Sequence, residues 1–104
     1  MARHCWIAEV RPGCEEEYKR RHDEIWPEML EALRAAGFRD YWIFRHGLQL
    51  ILTFECDDVD ALMTAIRGNP VDARWGEAMA PLMRIDRDPR SGFPYFLPVM
   101  FHMA

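Results

Sequence analysis

The chain has 104 residues, half of them hydrophobic, with 4 Trp, 3 Tyr and 6 Phe and a formal net charge of −4. That composition is too apolar and aromatic for a disordered chain, and the length predicts a single domain, residues 1–104. No run nears the roughly 18 apolar residues of a membrane span, the opening residues lack the apolar stretch of a secretory leader, and a negative balance without a basic block argues against nucleic acid as a partner.

The first predicted element is a strand over residues 4–10, His-Cys-Trp-Ile-Ala-Glu-Val, closed by the Arg-Pro-Gly turn at 11–13. A helical pattern follows from Glu15 to Ala36. Three glutamates fill its first turn, where the helix dipole favours anions, and Gly37 stands as its C-cap. Tyr18, Ile25, Trp26, Met29, Leu30, Leu33 and Ala36 repeat at three- and four-residue spacing and define its apolar face. Pro27 lies inside that pattern and predicts a kink or two helical pieces, because it has no N–H to donate.

Residues 39–46 and 48–56 read as a strand pair reversed at Gly47. In the second of these, Leu48, Leu50, Leu52 and Phe54 alternate with mostly polar residues, which predicts one buried face. Asp57 or Asp58 can cap a short helix ending near Arg67, and Asn69-Pro70 starts another that Pro81 stops or bends. Residues 84–94 read as a polar loop, and the apolar run 95–103 as a last strand, either at the sheet edge or broken at Pro98.

The order is β-α-β-β-α-β with the second helix split in two. This is the α+β, ferredoxin-like split βαβ pattern: an antiparallel sheet with helices on one face. The other face needs a cover, and a symmetric homodimer with facing sheets is the simplest one.

Cys5, Cys14 and Cys56 are an odd set without Cys-x-x-Cys spacing, so neither a disulfide framework nor a zinc site is expected. They read as small hydrophobes in a reducing cytoplasm. No metal-binding His pair, phosphate loop or nucleophile motif is present, so neither a metal nor a nucleotide cofactor is expected.

Two residues on the first helix invite chemistry. Tyr18 and His22 are four apart and stack on its apolar face. An inward histidine is either a half-buried, hydrogen-bonded boundary residue or a proton shuttle in a pocket, and spacing alone favours the first. Tyr41 at the start of the second strand, and Trp75 on the inward face of the last helix, read as core from position alone. The Tyr41 phenol offers an apolar ring with a polar tip, and Trp75 also suits a sugar site, because an indole stacks on the C–H face of a pyranose. His4, His46 and His102 are too scattered to place.

The stretch Glu17-Tyr-Lys-Arg-Arg-His-Asp-Glu-Ile-Trp-Pro-Glu28, followed by Gly37 and Tyr41, and the later Arg74-Trp75 with Met79, resemble the L-rhamnose mutarotase family over nearly the whole chain. The resemblance implies a dimeric α+β barrel that interconverts the anomers of a 6-deoxy-L-sugar, a monosaccharide substrate, without cofactor or metal. It makes His22 the proton donor, and Tyr18, Tyr41 and Trp75 substrate-binding residues. The family's second, adjacent tryptophan is absent, with Gly76 in its place. That departure leaves the sugar's identity open, with L-fucose as the leading alternative; a cofactor-free monooxygenase-like enzyme or a ligand-sensing protein on the same dimeric α+β barrel are the competing readings.

Overall fold

Pro27 divides what the apolar pattern presents as one long helix. In the computed structural model, which describes residues 1–104, α1 spans Glu15–Asp23 and α2 spans Pro27–Ala36. Trp26 between them is extended (φ −60°, ψ 134°), as expected for a residue whose α conformation would clash with the proline ring that follows. Pro27 itself sits in the first turn of α2, where no N–H is needed. At the other end Gly37 takes the left-handed conformation (φ 116°), and the Phe38 amide returns to the Leu33 carbonyl at 3.1 Å.

The remaining elements are β1 (Ala2–Val10), β2 (Arg39–His46), β3 (Gln49–Cys56), α3 (Val59–Arg67), α4 (Pro70–Met79) and β4 (Met83–Arg84). Asp58, the second of the two candidate caps, accepts from the Ala61 amide, and Asn69 accepts from the Val71 amide. The strands form one antiparallel sheet in the order β2-β3-β1-β4. With two helical stretches between strands, this is the ferredoxin-like arrangement expected from the element order.

The C-terminal run departs from expectation. Of residues 95–103, only Phe96 and Leu97 are paired with the outer edge of β1, by a single bridge from Phe96 to Trp6 and the Leu97 amide on the Cys5 carbonyl at 2.8 Å. The fourth strand is instead Met83–Arg84, paired with Val10 and Glu9. Pro94 and Pro98 flank the bridge, and neither can donate to a ladder.

The sheet has two unlike faces. Trp6, Ala8, Val10, Leu50, Leu52, Phe54 and Cys56 face the helices, and Phe54 is fully buried. Two core clusters result, one around Phe54 and one around Leu50, and Trp6, Tyr41 and Trp75 touch both. The opposite face presents the cross-strand rows Trp42–Thr53–Cys5 and Phe44–Ile51–Ile7. There the Trp42 and Phe44 rings stack 5.9 Å apart, and each is more than half exposed. Of the cysteines, only Cys56 is fully buried.

A bulge in β2 sets Tyr41. The register slips between Arg39 and Trp42, and Asp40 is left-handed (φ 47°), a conformation that aspartate tolerates better than most residues. The Asp40 carboxylate holds the distortion, accepting from Trp42 Nε1 at 2.7 Å and from Arg3 at 2.6 Å. Tyr41 is then stacked on Phe38, ring centroids 5.1 Å apart.

Candidate active site

Between the helices and the inner sheet face lies a cavity of about 490 Å³, within the usual range of small-molecule sites. Tyr18, His22, Tyr41 and Trp75 all line it. The structure therefore brings together the four residues singled out in the sequence, although they come from α1, β2 and α4.

The geometry around His22 is specific. Its Nδ1 lies 3.0 Å from the Tyr18 carbonyl oxygen. A carbonyl can only accept, so Nδ1 carries the hydrogen and the neutral ring keeps its lone pair on Nε2. The Tyr18 and His22 rings are 4.3 Å apart, and Trp75 meets His22 edge to face at 5.3 Å and 86°. Trp26, delivered by the helix break, backs Trp75 at 5.1 Å and 85°. Each aromatic is fixed by the next, so the imidazole cannot swing freely.

Burial tunes the ionisable groups. It lowers the His22 pKa below its ordinary value of 6.5, against weaker opposing effects of the Tyr18 carbonyl and Asp23. Burial also raises the Tyr18 and Tyr41 phenols well above 10. They stay protonated and serve as hydrogen-bonding hydroxyls, not as bases.

A charged strap fixes α1 against α4. Arg21 donates to Glu17 at 2.9 Å and also to the Ala78 carbonyl. Hydrogen bonds from Arg20 and Arg21 hold the Glu17 carboxyl down to about 2. The strap keeps the helix bearing Tyr18 and His22 in register with the helix bearing Trp75.

Other lining residues were not singled out in the sequence. Trp6 faces the cavity from β1, a placement its alternation with Ala8 and Val10 could have indicated. Asp72 reads in sequence only as a carboxylate near the helix N-terminus, yet it lies three residues before Trp75, on the same helical face. Arg67 and Arg87 come from α3 and the loop after β4, and nothing in their local sequence marks them. No group of three His, Cys, Asp or Glu side chains is placed to hold a metal ion, and no helix is long and apolar enough to cross a membrane.

An aromatic cavity over a ferredoxin-like sheet, with one histidine tied by Nδ1, defines a small-molecule site equipped for proton transfer. A sequence model of L-rhamnose mutarotase matches residues 3–103. The L-rhamnose mutarotase of Burkholderia orbicola is 42% identical over 98 residues, covering 90% of each chain. The crystal structure of an L-rhamnose mutarotase from Formosa agariphila superposes with a TM-score of 0.78 at 25% identity, covering all of both chains. A dimeric ferredoxin-like protein from an uncultured marine organism shares the fold (TM-score 0.66, 15% identity, 99% of both chains). The chain belongs to the L-rhamnose mutarotase family.

Proposed function

We propose that this protein is an aldose mutarotase that interconverts the α and β pyranose forms of L-rhamnose or a related 6-deoxy-L-sugar such as L-fucose. The observation that carries the reading is the fixed tautomer of His22 inside an aromatic cavity.

The reaction needs two proton transfers at oxygens that share one carbon. Neutral His22 Nε2 takes the proton of the anomeric hydroxyl as the ring C–O bond breaks. The imidazolium then gives that proton to the former ring oxygen, leaving the open aldehyde. Rotation about the C1–C2 bond and the reverse transfers close the other anomer. Atoms and charge balance without a redox partner, cofactor or metal. Such acid–base help is worth about 10²–10⁴-fold. Tyr18 and Tyr41 hold sugar hydroxyls with their protonated phenols, and Trp75 packs against the C–H face of the ring.

The working unit is a homodimer in the cytoplasm. The helix-free sheet face supports the dimer, because Trp42, Phe44 and Ile7 are exposed on it, and exposed apolar patches of this kind mark association surfaces. Val99, Met100, Phe101 and Met103 are also exposed and apolar.

Saturation-transfer NMR tests the activity. Accelerated α/β exchange of L-rhamnose or L-fucose is expected, and exchange at the buffer rate for every 6-deoxyhexose would refute it.

A further inference from the structure

Gly76 lies inside α4 and lines the cavity, and a side-chain carbon built on it would meet nothing within 4 Å. Gly76 is exposed, so the bare helix surface there borders the cavity where it opens to solvent. Asp72 stands one turn earlier on the same face and also lines the cavity, half-buried. Its backbone amide is used, donating to Asn69 at 3.0 Å. Its carboxylate accepts no hydrogen bond and forms no ion pair within 4 Å: Arg67 and Arg87 lie near enough for their charges to act on it, but the bonds they make run to the Gly92 carbonyl, Arg87 at 3.1 Å.

This end of the cavity is therefore roomy and carries a carboxylate with spare acceptor capacity. A methyl group placed there would strip water from the carboxylate and give nothing back. A hydroxyl would donate a charge-assisted hydrogen bond to it. Asp72 lies three residues before Trp75 on the same face of α4, whereas His22 stands on α1. In the proposed pose, with Trp75 packed on the C–H face of the sugar ring, Asp72 reaches a substituent of the sugar and not the reacting oxygens at His22.

We propose that Asp72 and Gly76 form a polar subsite that takes the hydroxymethyl group of a full aldohexose, so that the substrates of this protein include 6-hydroxy sugars as well as 6-deoxy ones. The proposal rests on the mutarotase reading of the same cavity and extends it.

L-Mannose and L-rhamnose differ only by the hydroxyl on C6, so their exchange rates measured side by side by saturation-transfer NMR isolate the subsite. Wild-type protein is expected to accelerate L-mannose exchange to within about tenfold of L-rhamnose. Asp72→Ala and Asp72→Asn are each expected to lower the L-mannose to L-rhamnose ratio about tenfold or more, mainly by raising KM for L-mannose. Gly76→Leu, which fills the open space, is expected to lower the same ratio without touching the carboxylate. Exchange of L-rhamnose alone by the wild type, or an unchanged ratio in folded Asp72 and Gly76 variants, overturns the subsite and leaves the mutarotase reading standing. Exchange of neither sugar overturns both.

Discussion

The His22 imidazole stands edge to face against the Trp75 indole, ring centroids 5.3 Å apart and planes at 86°. One residue comes from α1 and the other from α4. In the proposed mechanism this contact orients the ring assigned to proton transfer by means of the ring assigned to pack on the sugar. His22→Ala is expected to lower kcat for anomer exchange by about 10²–10⁴-fold. Trp75→Ala is expected to raise KM and also to lower kcat, because it removes both a wall of the cavity and the support of the imidazole. Exchange measured by NMR over a range of sugar concentrations separates the two effects. A Trp75→Ala effect confined to KM would mean that the imidazole holds its orientation without the indole.

The exchange reaction should have an acid limb set by His22. In the proposed mechanism the neutral ring is the active form, and burial holds its pKa below 6.5. Catalysis is therefore expected to persist below pH 6.5 and to fall only as pH drops through the lower folded-state value. The rate profile between pH 4.5 and 8 measures this midpoint.

Stability should follow the same group with a definite sign. Between pH 6.5 and the lower folded-state pKa, the unfolded chain binds the His22 proton more readily than the folded one. Stability from this group is complete above pH 6.5 and declines as pH falls through that window. Asp72 has the opposite sign, because burial raises its pKa above 3.8. Its ionisation costs stability as pH rises from 3.8 through the raised value. Denaturant titrations of wild type, His22→Gln and Asp72→Asn are expected to show flattened pH slopes in these separate windows.

The helix-free sheet face predicts its own disruption. A carboxylate at the stacked Trp42–Phe44 pair cannot be buried against a second sheet without a partner. Phe44→Asp is expected to give a monomer in sedimentation at micromolar concentration, where wild type sediments as a dimer. A wild-type monomer under those conditions would remove the dimer.

Gly76 carries a conformational penalty that the open space beside it makes easy to relieve. In the interior of α4 an alanine meets nothing within 4 Å and is better than glycine by about 0.5–1 kcal/mol. Gly76→Ala is expected to raise Tm by several degrees, about 4–8 °C per kcal/mol for a domain of this size. Thermal unfolding followed by circular dichroism checks it.

Local chemistry in the sequence determined most of the elements. Apolar alternation placed β3, Asp58 and Asn69 capped the helices they precede, and Pro27 divided one helical pattern into two. These features depend on residues a few positions apart, so the chain itself displays them. The last strand was not legible, because apolar character in 95–103 says nothing about which backbone donors are free, and Pro98 within the run and Pro94 just before it have none.

The site divides in the same way. Tyr18 and His22 share a helical face through spacing alone, and the wider motif around them carries the family resemblance. The resemblance already implied that Tyr41 and Trp75 join them, but only the tertiary structure shows how: a β-bulge anchored by Asp40 and the packing of α4 against α1 place those rings. It alone also set the tautomer of His22, the depressed pKa of that ring and the acceptor capacity left on Asp72. Burial and hydrogen-bond partnering are properties of groups brought together from distant parts of the chain, and no local reading of the sequence contains them.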